Sequence, residues 1–550
     1  MNSARRRATA LLLGAVLIAG SSGTAARAQD GTPGSPGATL VELCTQNELG
    51  DRTCKSFDSG SVLFALACAQ LPLPPEACAN VTDGRVVDRT LIDEYERTWV
   101  ARALRLQPKL DDGEPLRNVL LAHTHNSSNS TANSPSLSNV DPNQRYSIGD
   151  QMRMSIRGIE LDLHWVANPA GTAETGGKAV VLCHGRSEEV GPLTVHLGCS
   201  VDRLLVEGLV EIRDFLRGPG NEDEVVLLYL ENQMEDDPLA HEQAASAIQS
   251  VLGDLVFRPP AGQLCAPMPL DRSRADVRAT GSRVVIVGNC GPGSWGSWVF
   301  ERGPDWDEHG VGAGYPGFPA CTADRAERHY DAKWIRVYED STWLSAMVSG
   351  FSPGITPETT RAMVRCGVDM IGFDRLEPFD GRLEALVWSW APDEPSTNPA
   401  KRCAAGGTDA RFRAAPCEQV RAYACRTDAG DWVVPADRGP WSDGFRACER
   451  IAARFAVPPT GWQNERLSGA ASPGTELWLN YQSLAVAGSW VPGATAVPAG
   501  PTAASPAPAP SPIDSSAPAL PATGGSSPAG PALVLAAAGL GISAIRRASR

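Results

Sequence analysis

The chain has 550 residues, of which 49 are Lys or Arg and 63 are Asp or Glu, giving a formal net charge of −14. Residues 1–28 and 524–550 hold arginines and no acid, so the intervening 29–523 carries −21. That sign excludes a binder of nucleic-acid backbone, which needs a basic face, and excludes adhesion to anionic lipid by charge alone. A hydrophobic content of 42% and this length suit a folded chain of two or more domains.

Arg5, Arg6 and Arg7, the apolar run 8–20 and Ala26-Arg27-Ala28 follow the order of a secretory signal peptide, 1–28, with cleavage expected after Ala28. The run is too short to cross ~30 Å of hydrocarbon. Fourteen cysteines in an exported chain read as disulfides. They fall into even groups at 44–78, 183–366 and 403–448, so bridging within each group is possible. Residues 29–114 form a cysteine-rich N-terminal region ending in a helix. Thr90 is expected to cap it, and Leu91, Ile92, Tyr95, Trp99, Ala103 and Leu106 recur at helical spacing.

From 115 to 395 the rhythm changes. Apolar runs at 119–122, 159–163, 179–182, 225–230, 284–287 and 368–373 alternate with stretches such as 201–216 that are long enough for helices. Runs apolar on both faces suit parallel strands covered by helices. The expected fold is α/β, a TIM-like (β/α)8 barrel with 334–338 as a seventh strand and no evident eighth. Trp295, Trp298 and Trp306 lie in a glycine-rich loop after the fifth run, where tryptophan either packs or rests at a lipid headgroup level. Residues 396–490 hold four cysteines and Trp432, Trp441, Trp462, Trp478 and Trp490, a small disulfide-rich C-terminal β module. Cys425, Trp441 and Cys448 with Trp478-Leu479-Asn480-Tyr481 resemble a C-type-lectin-like domain. The Pro/Ala/Ser spacer 491–519 favours extended conformers. Residues 520–550 follow: Leu520-Pro521-Ala522-Thr523-Gly524, a small apolar segment over 531–545, and then Arg546, Arg547 and Arg550. This order resembles the sorting signal of Gram-positive cell-wall proteins. The resemblance implies that a sortase cuts after Thr523 and joins it to peptidoglycan.

Polar residues close several of the apolar runs. His123-Thr124-His125-Asn126 ends the first, Arg157-Gly158-Ile159-Glu160-Leu161-Asp162-Leu163-His164 contains the second, Cys183-His184-Gly185 ends the third and Leu230-Glu231-Asn232 ends the fourth. In a β/α barrel such ends converge on one mouth, and strand alternation sets Glu160 and Asp162 on one face. Three carboxylates so gathered call for a cation. Oxygen ligands favour a hard ion such as calcium over zinc, and two histidines beside it suit acid–base work on a phosphoryl group.

These motifs together, with Gln151 ahead of Arg157-Gly158, resemble the X-type catalytic domain of calcium-dependent phosphoinositide phospholipases C, most closely the bacterial secreted branch. The resemblance implies that His125 and His184 are catalytic and that Asn126, Glu160, Asp162 and Glu231 ligate Ca2+. It also implies attack of the inositol 2-hydroxyl on phosphorus through a cyclic inositol phosphate, with a phosphoinositide or glycerophosphodiester substrate. His184 is expected to protonate the leaving oxygen and His125 to bond a phosphoryl oxygen, with Glu160 or Glu231 as base. His123 and His164 are expected to pack or to orient a ligand, and Asp374 to line the mouth or pair near Arg375. The expectation is a secreted, wall-attached monomer acting at a membrane lipid surface, with no nucleic-acid partner. Sister phosphodiesterases acting on glycerophosphodiesters or sphingomyelin share Glu-x-Asp and histidine, and a silent adhesin using the C-terminal module is the non-enzymatic alternative.

Overall fold

The computed structural model describes residues 40–46, 52–58, 89–132, 142–184, 186–190, 193–197, 203–303, 306–310, 335–340, 354–484 and 489–493. The expected signal peptide, the spacer beyond 493 and the sorting signal with Thr523 lie outside the described residues. Near the N-terminus Leu40–Gln46 pairs antiparallel with Arg52–Asp58, setting Cys44 opposite Cys54.

The helix expected from Thr90 is divided. Thr90–Tyr95 (α1) stops and Trp99–Leu106 (α2) restarts at Thr98, whose hydroxyl accepts the Ala101 N–H at 3.2 Å. Thr98, not Thr90, is therefore the side chain that caps a helix here, satisfying an N–H that has no intrahelical partner.

Eight parallel strands follow one another across a single sheet. In chain order they include β1 (Leu121–Thr124), β2 (Gly158–Ala167), β4 (Val226–Gln233) and β5 (Val284–Gly288), with β3 (Lys178–Leu182) lying between β2 and β4 in the chain. Then come β6 (Phe300–Glu301), β7 (Trp306–Gly310), β8 (Ile335–Glu339) and β9 (Met370–Phe373). The spatial order is β6-β5-β4-β2-β1-β9-β8-β7. Two parts of the sequence reading change. The third apolar run, β3, is not one of the eight: it pairs antiparallel with β2, Leu182 opposite Leu163, as a hairpin beside the path. The fifth-run loop instead supplies the short strands β6 and β7, which carry no long apolar run. No pairing joins β6 to β7 among the described residues. Residues 302–305 are too few for the crossover that parallel neighbours require.

Alternation along these strands makes two distinct layers. Ile159, Leu161 and Leu163 of β2 and Val226, Leu228 and Leu230 of β4 face one core with Ile148–Arg153 (α3), Leu205–Arg217 (α4) and Pro238–Leu252 (α5). The α5 start is fixed by Asp237, whose carboxylate accepts the Leu239 and Ala240 N–H groups, with Pro238 in the first turn. The opposite face carries Leu121, Leu227, Tyr229, Val285, Val287, Phe300 and Met370, which form a separate apolar plug. On that same face, further along each strand, stand His123, Glu160, Asp162 and Glu231 in place of apolar residues. This face of the sheet is thus apolar towards the N-terminal strand ends and polar towards the C-terminal ones.

Trp295 is fully buried, donating Nε1–H to the Asn289 carbonyl at 2.9 Å, and Trp298 is buried beneath the Arg258 guanidinium. These two tryptophans pack rather than present a lipid-facing surface. Trp306 begins β7. The C-terminal module folds as two small sheets, antiparallel except where Ala422–Tyr423 runs parallel to Leu477–Ser483, with the disulfides Cys403–Cys417 and Cys425–Cys448, while Cys265–Cys290 braces the β5 loop. All three bridges lie within the groups seen in sequence, and Cys183 and Cys366 are also disulfide-bonded. The module does not stand apart: Trp390, Phe412, Tyr481 and Trp490 belong to the same apolar core as β2 and β4. The Gln107 side chain pins the junction, accepting the Trp388 N–H at 3.0 Å and donating to the Leu386 carbonyl at 3.1 Å.

Candidate active site

The polar layer is organised around the turn that ends β1. Asn126 sits at φ 46°, a left-handed conformation that Asn tolerates better than most residues. The turn aims the Asn126 backbone N–H at Glu160 Oε2, 2.8 Å away. Ser127 ties the turn to β2, its hydroxyl accepting the Glu160 N–H at 2.9 Å. Gln151 holds it from behind: its Oε1 accepts the Thr124 hydroxyl at 2.7 Å and its Nε2 donates to the Ser127 carbonyl at 3.0 Å. That is the structural content of the Gln151 motif residue.

Glu160 and Asp162 share one face of β2, and the parallel register places Asp162 beside Glu231 of β4. Carboxylate oxygens of Glu160, Asp162 and Glu231 all lie within 4.8 Å of one another. Burial, then the charges of Glu160 and Glu231, push the Asp162 carboxyl well above the usual carboxylate range. Burial also opposes ionisation of Glu160. The His123 contact and the charges of His125 and His123 outweigh it, so this carboxyl titrates below its ordinary value. A trio this close holds either a proton or a cation between its members. Its oxygen donors, with Asn126 alongside, fit a hard divalent ion.

The two motif histidines reach this trio by different routes. His125 is braced at Nδ1 by Asp374 Oδ1, 3.2 Å away, and its Nε2 lies 3.0 Å from Asn126 Nδ2. Glu339 Oε2 lies 3.9 Å from that Nε2. Burial favours the neutral ring, but Asp374 and Glu339 hold its pKa well above the ordinary histidine value. His184 arrives on the antiparallel β3 hairpin: the Cys183 N–H donates to the Asp162 carbonyl at 3.1 Å, delivering the next residue to the rim. Burial and the charge of His125 depress the His184 pKa. An amide chain links the pair. Asn129 Nδ2 is 3.3 Å from His184 Nδ1 and donates to Asn143 Oδ1 at 2.6 Å, while Asn143 Nδ2 donates to Asp374 Oδ1 at 2.9 Å.

All six residues singled out in the sequence therefore converge: His125, Asn126, Glu160, Asp162, His184 and Glu231. A family model described as the Rv2075c PI-PLC-like domain matches residues 83–380, the stretch that carries all of them. The chain belongs to this family of phospholipase C-like phosphodiesterases. The proteins Rv2075c and MT2135 of Mycobacterium tuberculosis are each 38% identical over 442 residues, covering 78% of this chain and 88% of theirs. Among solved structures, phosphatidylinositol-specific phospholipase C from Listeria monocytogenes is 13% identical, covering 50% of this chain and 94% of its own, with a TM-score of 0.34. A variant of the Staphylococcus aureus enzyme is 11% identical, covering 52% and 98%, with a TM-score of 0.34.

Within this PI-PLC-like domain, several site residues carry no local motif. Glu339 ends β8, Asn129 and Asn143 flank the loop after β1, and neither asparagine stands near a signal that singles it out. Asp374 was visible only as a polar residue at a strand end; its partner is His125 rather than the Arg375 neighbourhood. His123 lies deeper, at the base of the polar layer and fully buried. A Cβ at Gly158 would come within 2.8 Å of His123 Cβ, and one at Gly372 within 2.7 Å of its Cδ2. Glycine on both neighbouring strands makes room for this ring. His164, 5% exposed, continues the same face of β2.

Proposed function

We infer that this chain is a secreted phosphoric diester hydrolase of phospholipase C type, closed as a (β/α)8 barrel and tethered to a Gram-positive cell wall through Thr523. The reading takes a phosphoinositide or a related glycerophosphodiester as substrate and Ca2+ as cofactor. The observation that carries it is the juxtaposition of a three-carboxylate cluster with His125 braced by Asp374 and with His184 facing it across the Asn129–Asn143 bridge.

Asn126, Glu160, Asp162 and Glu231 would hold the ion. Bound there, it would lower the pKa of an attacking hydroxyl, offset developing phosphoryl charge and neutralise Glu160, one of the carboxylates that keep His125 protonated. The protein's own groups then divide the proton transfers. A buried carboxylate at Nδ1 fixes one tautomer of His125 and stabilises the imidazolium formed when Nε2 takes a proton, which makes His125 the base. This moves that role away from Glu160 and Glu231, which are engaged with each other and with Asp162. His184, depressed by burial and by the neighbouring charge, parts with a proton readily once it carries one, which suits the acid at the leaving oxygen. In the first stage the substrate hydroxyl loses its proton to His125 as the new P–O bond forms, and the departing oxygen takes one from His184. In the second, water opens the cyclic phosphate with the roles reversed.

The purified chain incubated with phosphatidylinositol, with and without EGTA, tests this by phosphorus NMR of the water-soluble products. EGTA-sensitive release of cyclic inositol phosphate is expected. Release only from a soluble glycerophosphodiester would transfer the reading to that substrate, and no release from either would end it.

A further inference from the structure

We propose that a second divalent cation binds at His123, Glu160 and Glu339, leaving the Glu160 carboxylate between two ions. This deepens the phosphodiesterase reading and rests on it. One donor atom from each of the three residues lies within 4.8 Å of the other two. His123 Nε2 stands 3.5 Å from Glu160 Oε2 and 3.5 Å from Glu339 Oε1, two ion-pair contacts longer than an ordinary hydrogen bond. Donors each about 2.1 Å from one tetrahedral ion lie about 3.4 Å apart, so the spacing is that of ligands around a common centre.

The independent observation is the imidazole. His123 is fully buried, and neither ring nitrogen has a hydrogen-bond partner among the described residues. Nε2 has only the two long carboxylate contacts and Nδ1 no hydrogen bond; a buried polar group without one costs about 1–3 kcal/mol, and an apolar side chain would fill the space without that penalty. Instead, Gly158 and Gly372 give up their side chains to seat the ring with Nε2 towards the two carboxylates. Coordination satisfies that nitrogen. The donor sets of the two positions differ: Glu160, Asp162 and Glu231 offer oxygen only, whereas this one offers an imidazole and two carboxylates. Imidazole shifts preference from calcium towards manganese or zinc. An ion sharing Glu160 from this deeper position would lie behind the catalytic one, its charge offsetting those of Glu160 and Glu339.

The test counts ions. The full chain, stripped with chelator and titrated with Mn2+, is read by bound-metal analysis and by electron paramagnetic resonance. Two Mn2+ per chain with an exchange-coupled signal are expected, falling to one uncoupled ion in Glu339→Gln, which removes a ligand of the second position and none of the first, and in His123→Gln. Circular dichroism reports whether each variant folds, and Glu339→Gln decides if His123→Gln does not. One ion in the wild-type chain, or two in Glu339→Gln, overturns the proposal. EGTA-sensitive cleavage alongside a single ion would leave the phosphodiesterase reading standing, whereas no bound ion and no cleavage would remove both.

Discussion

Replacing Asp374 by Asn tests the proton-transfer assignment at its most specific contact. Asp374 is buried, its Oδ1 lies 3.2 Å from His125 Nδ1, and Asn143 donates to the same oxygen at 2.9 Å. Asparagine has the same shape, so neither packing nor the position of the ring changes greatly. What changes is charge. The Asn143 N–H holds the amide oxygen at the Oδ1 position, so His125 keeps its proton on Nδ1 but loses the negative charge that stabilises its imidazolium. Weakening a general base of this kind lowers rates by about 10²–10⁴-fold, which at 1.36 kcal/mol per decade is about 3–5 kcal/mol of transition-state stabilisation. Asp374 is among the groups that raise the His125 pKa. Its loss therefore lowers that pKa, and the acid limb of the rate profile moves to lower pH. The measurement is kcat and kcat/KM for a water-soluble phosphodiester from pH 5 to 9, with thermal unfolding as a control. A loss smaller than tenfold with an unmoved acid limb would show that His125 works without this carboxylate and that the base lies elsewhere.

Other perturbations follow from the same geometry. Ca2+ at about 100 times its Kd should stabilise the wild-type chain by about 2.7 kcal/mol. Asp162→Asn should remove most of that gain while leaving the ion-free protein at least as stable, because a crowded buried carboxylate is relieved; differential scanning calorimetry with and without Ca2+ reads both. Gly372→Ala puts a methyl 2.7 Å from His123 Cδ2 and 3.0 Å from Glu339 Cγ. It should cost about 1–3 kcal/mol in urea unfolding and reduce activity together with stability. Leu209 of α4 is fully buried in the core shared with β2 and β4, so Leu209→Ala should cost about 2–5 kcal/mol with kcat little changed in the folded fraction. Cys425–Cys448 closes a loop of sequence separation 23. Replacing both cysteines by alanine should remove about 3 kcal/mol, measured by denaturant midpoint.

The pairing of Glu160 with Asp162 was legible because a strand repeats every two residues, and Glu231 because it follows an unbroken apolar run. The third run misled for a related reason. Its four apolar residues satisfy a parallel or an antiparallel neighbour equally well, and composition holds no record of direction. Only the pairing of Leu182 with Leu163 makes it a hairpin. That same reversal brings His184 to the rim without a crossover helix. The short strands β6 and β7 escaped notice because two and five residues leave too little pattern to count. The restart at Thr98 escaped because Leu91 through Leu106 keep helical spacing across the break.

Local chemistry was thus written in the sequence: which residues can ligate, which can carry protons, and which face of β2 they share. The tertiary structure alone decided what surrounds them. Asp374 and Glu339 lie more than 200 residues beyond His125 in the chain, and Asn129, Asn143 and His123 acquire meaning only from what they touch. Periodicity describes a strand against its own axis. Brackets between strands, such as His123 seated by Gly158 and Gly372, depend on register between segments that share no sequence neighbourhood, and that register is set when the sheet forms.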